Sequence, residues 1–265
     1  MNMRTSKTII IFVVLGGLLF AFLVLPIVNI FVEQFTLRLP AFVNAATDPI
    51  VLKAVGLSLF AAFLSVLIAF GLGVPLAYLL ARKKFRGKGI IEGIIDLPMA
   101  IPHTVAGIAL LAVLGSGGII GGTTEPFLKF EAALPGIVGA MLFVSAPFMI
   151  NSAREGFQSV DPHLENVARN LGASEWQAFQ KVSFPLAFPH IFSGAVMTWA
   201  RAISEFSAVI LLVGFFPMIA PGLIWSRFYS SGLGAAMAVA VLLLLVVLPT
   251  FIILRYWRGR LLAKY

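Results

Sequence analysis

Long apolar runs divide this chain into segments of the length that crosses a bilayer. A membrane-spanning helix needs about 20 consecutive apolar residues. Six stretches are candidates, at residues 9–32, 54–81, 97–114, 134–153, 191–214 and 233–254. An even number of crossings places both termini on the same side of the membrane. The pattern therefore predicts an all-α integral membrane protein with six transmembrane helices, forming a single domain over residues 1–265.

Two apolar stretches carry residues that interrupt a regular helix. Pro98 and Pro102, followed by His103, lie in the first part of the third stretch. Because proline removes a backbone N–H and its ring meets the preceding turn, we expect a broken or kinked third span. Residues 215–226 are also apolar but contain two prolines and a glycine. They predict a re-entrant loop rather than a seventh span.

One polar segment, residues 161–189, interrupts the apolar sequence between the fourth and fifth stretches. Asp161 is suited to cap a helix and Pro162 to the first helical position, where its missing N–H costs nothing. Gly172 can end that helix because it adopts a left-handed conformation without a side-chain clash. Four residues at helical spacing form one apolar face: Leu164, Val167, Ala168 and Leu171.

A second short helix is predicted directly after Gly172. Ser174 and Gln177 have the spacing of a capping box. Pro185 and Pro189 are expected to end or kink this helix as the chain becomes apolar again. Two short helices with one apolar face favour docking on another protein. The alternative is an amphipathic loop that lies on the lipid surface.

The composition and the placement of charge support a membrane protein with a defined orientation. The 265 residues are 60% hydrophobic and 11% charged, with no cysteine, and the mean hydropathy is +1.02. Fourteen lysines and arginines, including Arg4 and Lys264, fall at the termini and the loops on their side, and four fall on the opposite side. By the positive-inside rule, both termini and residues 161–189 are cytoplasmic. The net charge of +8 is then a topology signal and an attraction to the lipid bilayer, with no nucleic-acid partner implied.

The sequence contains no motif for chemistry of its own. A Gly-rich phosphate loop followed by Lys-Ser/Thr is absent, so we expect no nucleotide cofactor on this chain. There is no convincing nucleophile–base or metal-ligand set, so we predict a transport subunit with no catalytic residues and no metal site. The outer loops are short, so capture of a dilute solute would need a separate protein.

Arg201 and Glu205 are the clearest ionisable residues inside a predicted span. Their i,i+4 spacing allows an ion pair on one helix face. Because a charge in lipid is costly, the pair is expected to face protein or water. It is either a structural pair that holds helices together, which we favour, or part of an anion pathway.

Other polar residues near these spans have two interpretations each. His103, between Pro102 and Thr104, is either a gate or substrate contact, or a packed histidine bonded to a carbonyl that the proline break leaves free. Ser204, Ser207 and Thr104 either line a polar path or pack helices together.

The spacing of three residues in the polar segment resembles a known motif. Gly172, nine intervening residues, the aliphatic Val182, two more residues and Pro185 are similar to the cytoplasmic coupling loop of ABC-importer permeases. In that family the usual run is Glu-Ala-Ala, three residues, then Gly. In this chain Glu165 stands one position earlier than the family glutamate. We therefore name residues 161–189 the coupling loop.

The fifth span carries a second resemblance, which concerns the substrate. Residues 201–208, Arg-Ala-Ile-Ser-Glu-Phe-Ser-Ala, resemble the Arg-Ala-x-Gly/Ser-Glu-Phe-Gly-Ala run of sulfate and molybdate/tungstate permeases. Residues 216–228 are similar in outline to the loop that follows it. Residues 96–102 also resemble the Leu-Pro-x-x-x-Pro start of their third span, with His103 where those proteins often carry proline.

Together the resemblances cover about residues 96–228 and imply the membrane subunit of a type I ABC importer for a tetrahedral oxyanion, most specifically molybdate or tungstate. They imply a homodimer in the plasma membrane, two ATP-binding subunits that use ATP and Mg, an extracytoplasmic oxyanion-binding protein, and alternating access. The residues expected to dock the ATP-binding subunit are Leu164, Glu165, Ala168, Leu171, Gly172 and Ala173. The alternative function is a secondary transporter or channel for an anion without an ATPase partner, which would need more intramembrane ionisable groups.

Overall fold

The computed structural model describes residues 7–124 and 127–262, and every regular element in these ranges is helical. In chain order the helices are α1 (Lys7–Leu37), α2 (Leu39–Thr47), α3 (Pro49–Ile68), α4 (Val74–Arg82), α5 (Lys88–Ala100), α6 (His103–Leu114), α7 (Gly121–Thr124), α8 (Leu134–Ser159), α9 (Pro162–Asn170), α10 (Glu175–Ala178), α11 (Phe184–Ile203), α12 (Ser207–Val213), α13 (Ala220–Ser231) and α14 (Leu233–Leu262). Two π-helical turns, Ala69–Gly73 and Phe179–Ser183, join α3 to α4 and α10 to α11. The all-α prediction is confirmed. Arg4 and Lys264, which enter the charge count, lie outside the described residues.

The described helices provide four to six membrane crossings. Four are long and apolar enough by themselves: α1, the continuous helix of α3 and α4, α8 and α14. Two bent helix pairs, α5 with α6 and the α10–α11 helix with α12, also pass the test when each pair is taken together. With each bent pair counted as one span, the number is six, as predicted. The apolar side chains of α1 between Ile9 and Leu25 are largely exposed, so they face lipid or another subunit.

The third span is broken where the prolines predicted it. α5 and α6 meet at an angle of 112°. Ile101 has an extended backbone, with φ −82° and ψ 148°, which is the conformation that a following proline favours. The first half of this span begins at Lys88, nine residues before the predicted start at residue 97.

The fifth span is also broken, which the apolar pattern did not predict. α11 ends at Ile203 and α12 begins at Ser207, with an angle of 60° between the two parts. Glu205 lies in the break, and one of its carboxylate oxygens accepts a hydrogen bond from the backbone N–H of Ala208 at 2.8 Å. The predicted span over residues 191–214 therefore contains a break in its outer part that was not predicted.

α8 and α11 form the centre of the helical packing, and glycines allow them to approach closely. A Cβ atom added to Gly156 would lie 2.6 Å from Cβ of His190, and one added to Gly194 would lie 2.9 Å from Cβ of Ser152. Larger residues would force the helices apart at both points. The two contacts also set the register of the antiparallel pair.

α13 occupies the region in which a re-entrant loop was predicted. Its 12 residues span about 18 Å, too short for a crossing. The backbone N–H of Ala220 donates to Oγ of Ser58 at 2.8 Å, and Arg227 pairs with Asp48 at 2.7 Å. These contacts hold α13 against the N-terminal end and the middle of α3.

Candidate functional site

The coupling loop begins with a capped helix, as its sequence predicts. Oδ1 of Asp161 accepts a hydrogen bond from the backbone N–H of His163 at 2.8 Å. Pro162 occupies the first turn of α9. An N-cap carboxylate of this kind satisfies one of the N–H groups that a helix leaves unpaired. Local sequence therefore determines where α9 starts.

Gly172 ends α9 and turns the chain into α10. It has φ of +94°, a conformation that residues with a Cβ atom rarely adopt. Its N–H donates to Arg169 O at 2.9 Å, and the N–H of Ala173 donates to Ala168 O at 3.0 Å. This is the hydrogen-bond pattern of a glycine C-cap. α10 then starts with the predicted capping box, in which Ser174 and Gln177 exchange hydrogen bonds.

The second helix of the coupling loop does not end at the prolines. One continuous helix runs from Glu175 to Ile203 through the π-turn at Phe179–Ser183. Pro185 lies in the first turn of α11, and Pro189 lies inside α11. The wider π-turn sits directly before Pro185, where a regular α-turn would bring the proline ring against an earlier carbonyl. The helix therefore does not end at Pro185 or Pro189, where an end or a kink was predicted. The coupling loop is joined to the fifth span by continuous helix.

Glu165 anchors α9 to the end of the second span. Its carboxylate accepts hydrogen bonds from Nε of Arg82 at 2.7 Å, from the hydroxyl of Tyr78 at 3.0 Å and from Ser183 Oγ. The side chains of Arg82 and Glu165 are only 10% and 13% exposed. Burial alone would raise the pKa of Glu165, but the hydrogen bonds from Ser183, Arg82 and Tyr78 outweigh it and lower the pKa below its ordinary value.

This geometry changes the role expected of Glu165. From sequence, Glu165 was expected on the docking surface, whereas the structure directs its carboxylate into the chain. Arg82 and Tyr78 are 83 and 87 residues away in sequence, so no local pattern could identify them as partners. Arg82 is one of the fourteen basic residues that predicted the orientation.

The outer side of the coupling loop presents exposed apolar side chains. We call Leu164, Val167, Leu171 and Trp176 the apolar face. Leu171 is 84% exposed, and a Cβ atom added at Gly172 would meet open space. Ala168 and Ala173 are partly covered. Val167 and Trp176 were absent from the predicted docking set.

A groove of about 640 Å³ lies between α4 and the two short helices of the coupling loop. Its lining includes Arg82, Glu165, Trp176 and Phe179. The rings of Trp176 and Phe179 stack with centroids 5.3 Å apart. The groove gives water or a partner side chain access to one flank of the Arg82–Glu165 pair.

The structure brings Arg201 and Glu205 together inside the membrane-spanning region. Nη2 of Arg201 lies 2.9 Å from Oε2 of Glu205, and Glu205 is 2% exposed. The other carboxylate oxygen is bonded to the N–H of Ala208. An unpaired arginine at mid-membrane would cost about 2.5–3.5 kcal/mol, and this pairing reduces that cost.

His103 joins this ion pair instead of a backbone carbonyl. Both its ring nitrogens lie 2.8 Å from Nη2 of Arg201, and Nδ1 lies 3.2 Å from Glu205. Nη1 of Arg201 donates to Oγ of Ser204 at 3.2 Å. We call His103, Arg201, Ser204 and Glu205 the polar cluster. Of the other predicted pathway residues, Pro102 and Thr104 are exposed on either side of His103 in the sequence. Ser207 is partly buried at the start of α12.

The polar cluster lies near the middle of the membrane. Gly194 faces Ser152 and Met149 on α8, and Arg201 lies seven residues further along α11. Because antiparallel helices advance equally, Arg201 is level with about Val144, near the centre of the 26-residue helix α8. α8 is about 39 Å long, so its centre corresponds to mid-bilayer depth.

Comparisons with known proteins place the chain among transport proteins. The profile of the family described as "Binding-protein-dependent transport system inner membrane component" matches residues 73–262. The chain is 46% identical over 258 residues to the molybdate/tungstate transport system permease protein of Thermococcus kodakarensis, covering 97% of this chain and 99% of the relative. It is 32% identical to a sulfate transport system permease protein of Synechocystis sp., covering 90% and 86%. The fold is similar to a chain of the bacterial alginate ABC transporter solved with an alginate-bound periplasmic protein, with a TM-score of 0.75, 18% identity and coverage of 97% and 98%.

Proposed function

This chain belongs to the family of binding-protein-dependent transport system inner membrane components, and we propose that the ABC importer of which it is the permease subunit carries a tetrahedral oxyanion, with molybdate or tungstate preferred over sulfate. The similarity over nearly the whole chain to a molybdate/tungstate permease supports this substrate. The lower identity to a sulfate permease supports the preference. The family membership and the matching fold decide against the alternative of a secondary transporter or channel without a motor.

The observation that carries the coupling mechanism is the apolar face of the coupling loop. Its four side chains are exposed in this chain, although the segment is too short and too polar to cross lipid. Burial of such a face on another protein is favourable by about 25 cal/mol for each Å² of apolar surface. Its occupant is the ATP-binding subunit, which uses ATP and Mg, and this chain binds neither.

The coupling loop is connected to the membrane interior in two ways. The helix from Glu175 to Ile203 is continuous, and Glu165 is bonded to Arg82 at the end of the second span. A displacement of the apolar face therefore moves the second and fifth spans together. Alternating access follows when two ATP-binding subunits move the coupling loops of two copies of this chain.

The orientation of the assembly follows from its charge. The basic residues place both termini and the coupling loop in the cytoplasm, so the ATP-binding subunits lie there. An extracytoplasmic binding protein delivers the oxyanion to the opposite face of the cell membrane.

Co-purification with the ATP-binding subunit tests the docking assignment. Leu171→Asp places a charge in the centre of the apolar face without touching the core, so we expect loss of the ATP-binding subunit from the purified complex. Phe127→Asp, at a residue that is 94% exposed on the opposite side, is the matched control and should leave the complex intact. A Leu171→Asp complex of normal composition would refute the assignment.

Anion-stimulated ATP hydrolysis tests the substrate. The complex is reconstituted in vesicles with its binding protein, and molybdate, tungstate and sulfate are added in turn. We expect stimulation by molybdate and tungstate at lower concentrations than by sulfate. Stimulation by none of the three would refute the oxyanion assignment.

A further inference from the structure

The polar cluster has one closed side and one open side. Glu205 is buried on the closed side, where it is bonded to Arg201 and to the N–H of Ala208. On the open side, the His103 side chain is 41% exposed, and Ser204 is also exposed. Lipid cannot solvate these groups, so the open side faces protein or a water-filled path. The described residues of this chain do not cover it.

We propose that His103, Arg201 and Ser204 form a low-affinity transit site for the oxyanion in the middle of the membrane, and that the site is completed by the same residues of a second copy. This inference rests on the proposed function, because the substrate class comes from there. The ligand class is a small tetrahedral dianion, which needs several hydrogen-bond donors around it.

The open side supplies donors of the required kind. Arg201 presents a planar guanidinium, which suits the paired oxygens of an oxyanion. Its contacts with His103 and Ser204 bring an imidazole and a hydroxyl to the same place. The Ser204 hydroxyl donates to the carbonyl oxygen of Arg201 at 2.9 Å and would exchange that hydrogen bond for one to the anion. The exposed Thr104 hydroxyl lies next to His103 in sequence. A second copy doubles these donors around a shared path, so that two guanidinium groups face one dianion.

Glu205 makes this a transit site and not a tight binding site. Its carboxylate neutralises Arg201 at 2.9 Å, so an anion meets oriented donors but little net positive charge. Conduction needs binding that is favourable enough for entry and weak enough for release. Glu205 is a positioning residue, because its second oxygen is held by the Ala208 N–H and the guanidinium is thereby fixed in direction.

Transport measurements on the complete complex test the site. His103→Leu and Ser204→Ala remove the two polar side chains beside the guanidinium while leaving the Arg201–Glu205 pair in place. We expect the number of molybdate ions imported per ATP hydrolysed to fall about tenfold in His103→Leu. His103→Gln keeps an N–H donor and should recover most of the import. A purely structural role for His103 would lower the amount of complex and its ATPase activity, but would not change the ratio of import to hydrolysis.

The outcomes separate this proposal from the proposed function. If the wild-type complex imports no oxyanion, the proposed function fails. If it imports molybdate and both His103→Leu and Ser204→Ala keep the wild-type ratio, only the transit site is refuted.

Because the chain has no cysteine, a single introduced thiol tests the contribution of the second copy. Thr104 is exposed and directly follows His103 in the sequence. In Thr104→Cys a short bifunctional thiol reagent should therefore crosslink two copies, and molybdate should slow the reaction. Leu171→Cys, whose side chain the proposed function covers with the ATP-binding subunit, is the control and should not crosslink two copies of this chain. Absence of a Thr104→Cys crosslink in the assembled complex would refute completion of the site by a second copy.

Discussion

Replacing Arg82 by glutamine removes the cation that holds α9 against the end of the second span. Glu165 would keep its hydrogen bonds from Tyr78 and Ser183, but its negative charge would be left without a partner at 13% exposure. Removing one member of a fully buried ion pair costs about 3–5 kcal/mol. Since the pair borders a groove of about 640 Å³ that admits water, we expect a smaller cost of about 2–3 kcal/mol.

The cost should appear as local opening of α9 and not as global unfolding, because α9 has no buried residues of its own. A loss of 2–3 kcal/mol corresponds to a rise of about 30- to 140-fold in the opening equilibrium. Hydrogen–deuterium exchange of the α9 amides in the purified complex measures this rise directly. Import per ATP hydrolysed should fall in parallel, because a loosely held α9 transmits less displacement to the spans.

Two further variants make the test specific. Combining Arg82→Gln with Glu165→Gln removes both charges, so most of the α9 protection should return. Arg154→Gln breaks a similar ion pair, to Glu92 at 2.8 Å, between α8 and α5. It should leave α9 exchange unchanged. Wild-type exchange of α9 in the Arg82→Gln variant would refute the anchoring role of Glu165.

Three more predictions concern single residues. Gly172→Trp should leave ATP hydrolysis running while import is lost, because φ of +94° strains any side chain and the indole would project into the docking region. Gly172→Ala, with about 1–2 kcal/mol of strain, should lose only part of the import. Normal coupling of hydrolysis to import in both variants would contradict the role of the turn. Glu205→Gln should lower the thermal stability of the complex, because Arg201 and the Ala208 N–H lose a charged partner; unchanged melting would exclude a structural pair. The pKa of Glu165 is lowered, so its stabilisation of α9 is complete above the ordinary carboxyl pKa of about 4.3 and is lost as the pH falls through the lower folded-state pKa. The protection factor of the α9 amides, which compares the measured exchange rate with the intrinsic rate at the same pH, should therefore be constant from about pH 7 to 5 and fall below about pH 4. A Glu165→Gln variant should lack that fall.

The predictions from sequence succeeded where a feature depends on neighbouring residues. Asp161, Gly172 and the Ser174–Gln177 capping box fulfil their predicted roles, because helix caps are made within about five residues. The break after Ile101 was predictable for the same reason, since Pro102 restricts the residue before it. The number of spans followed from the length of the apolar runs.

The predictions of helix ends and breaks failed where the same local sequence is compatible with two structures. Pro185 and Pro189 were expected to end or kink a helix, but the helix continues through a π-turn before Pro185 into the fifth span. No break was predicted in the fifth span, but Glu205 leaves the helix to pair with Arg201 and to accept from the N–H of Ala208. The spacing of apolar residues predicts neither the continued helix at Pro185 nor the break at Glu205.

By itself the sequence determined the class of the molecule: a helical membrane protein whose polar segment carries an exposed apolar face. Only the tertiary structure decided which polar side chains meet. Glu165 bonds to Arg82, which is 83 residues away in sequence, and His103 contacts Arg201, which is 98 residues away. The physical reason is the range of the interactions. Hydropathy and helix caps act over a few residues along the chain, whereas a buried charge is satisfied by whichever group the packing of distant helices brings within hydrogen-bond distance.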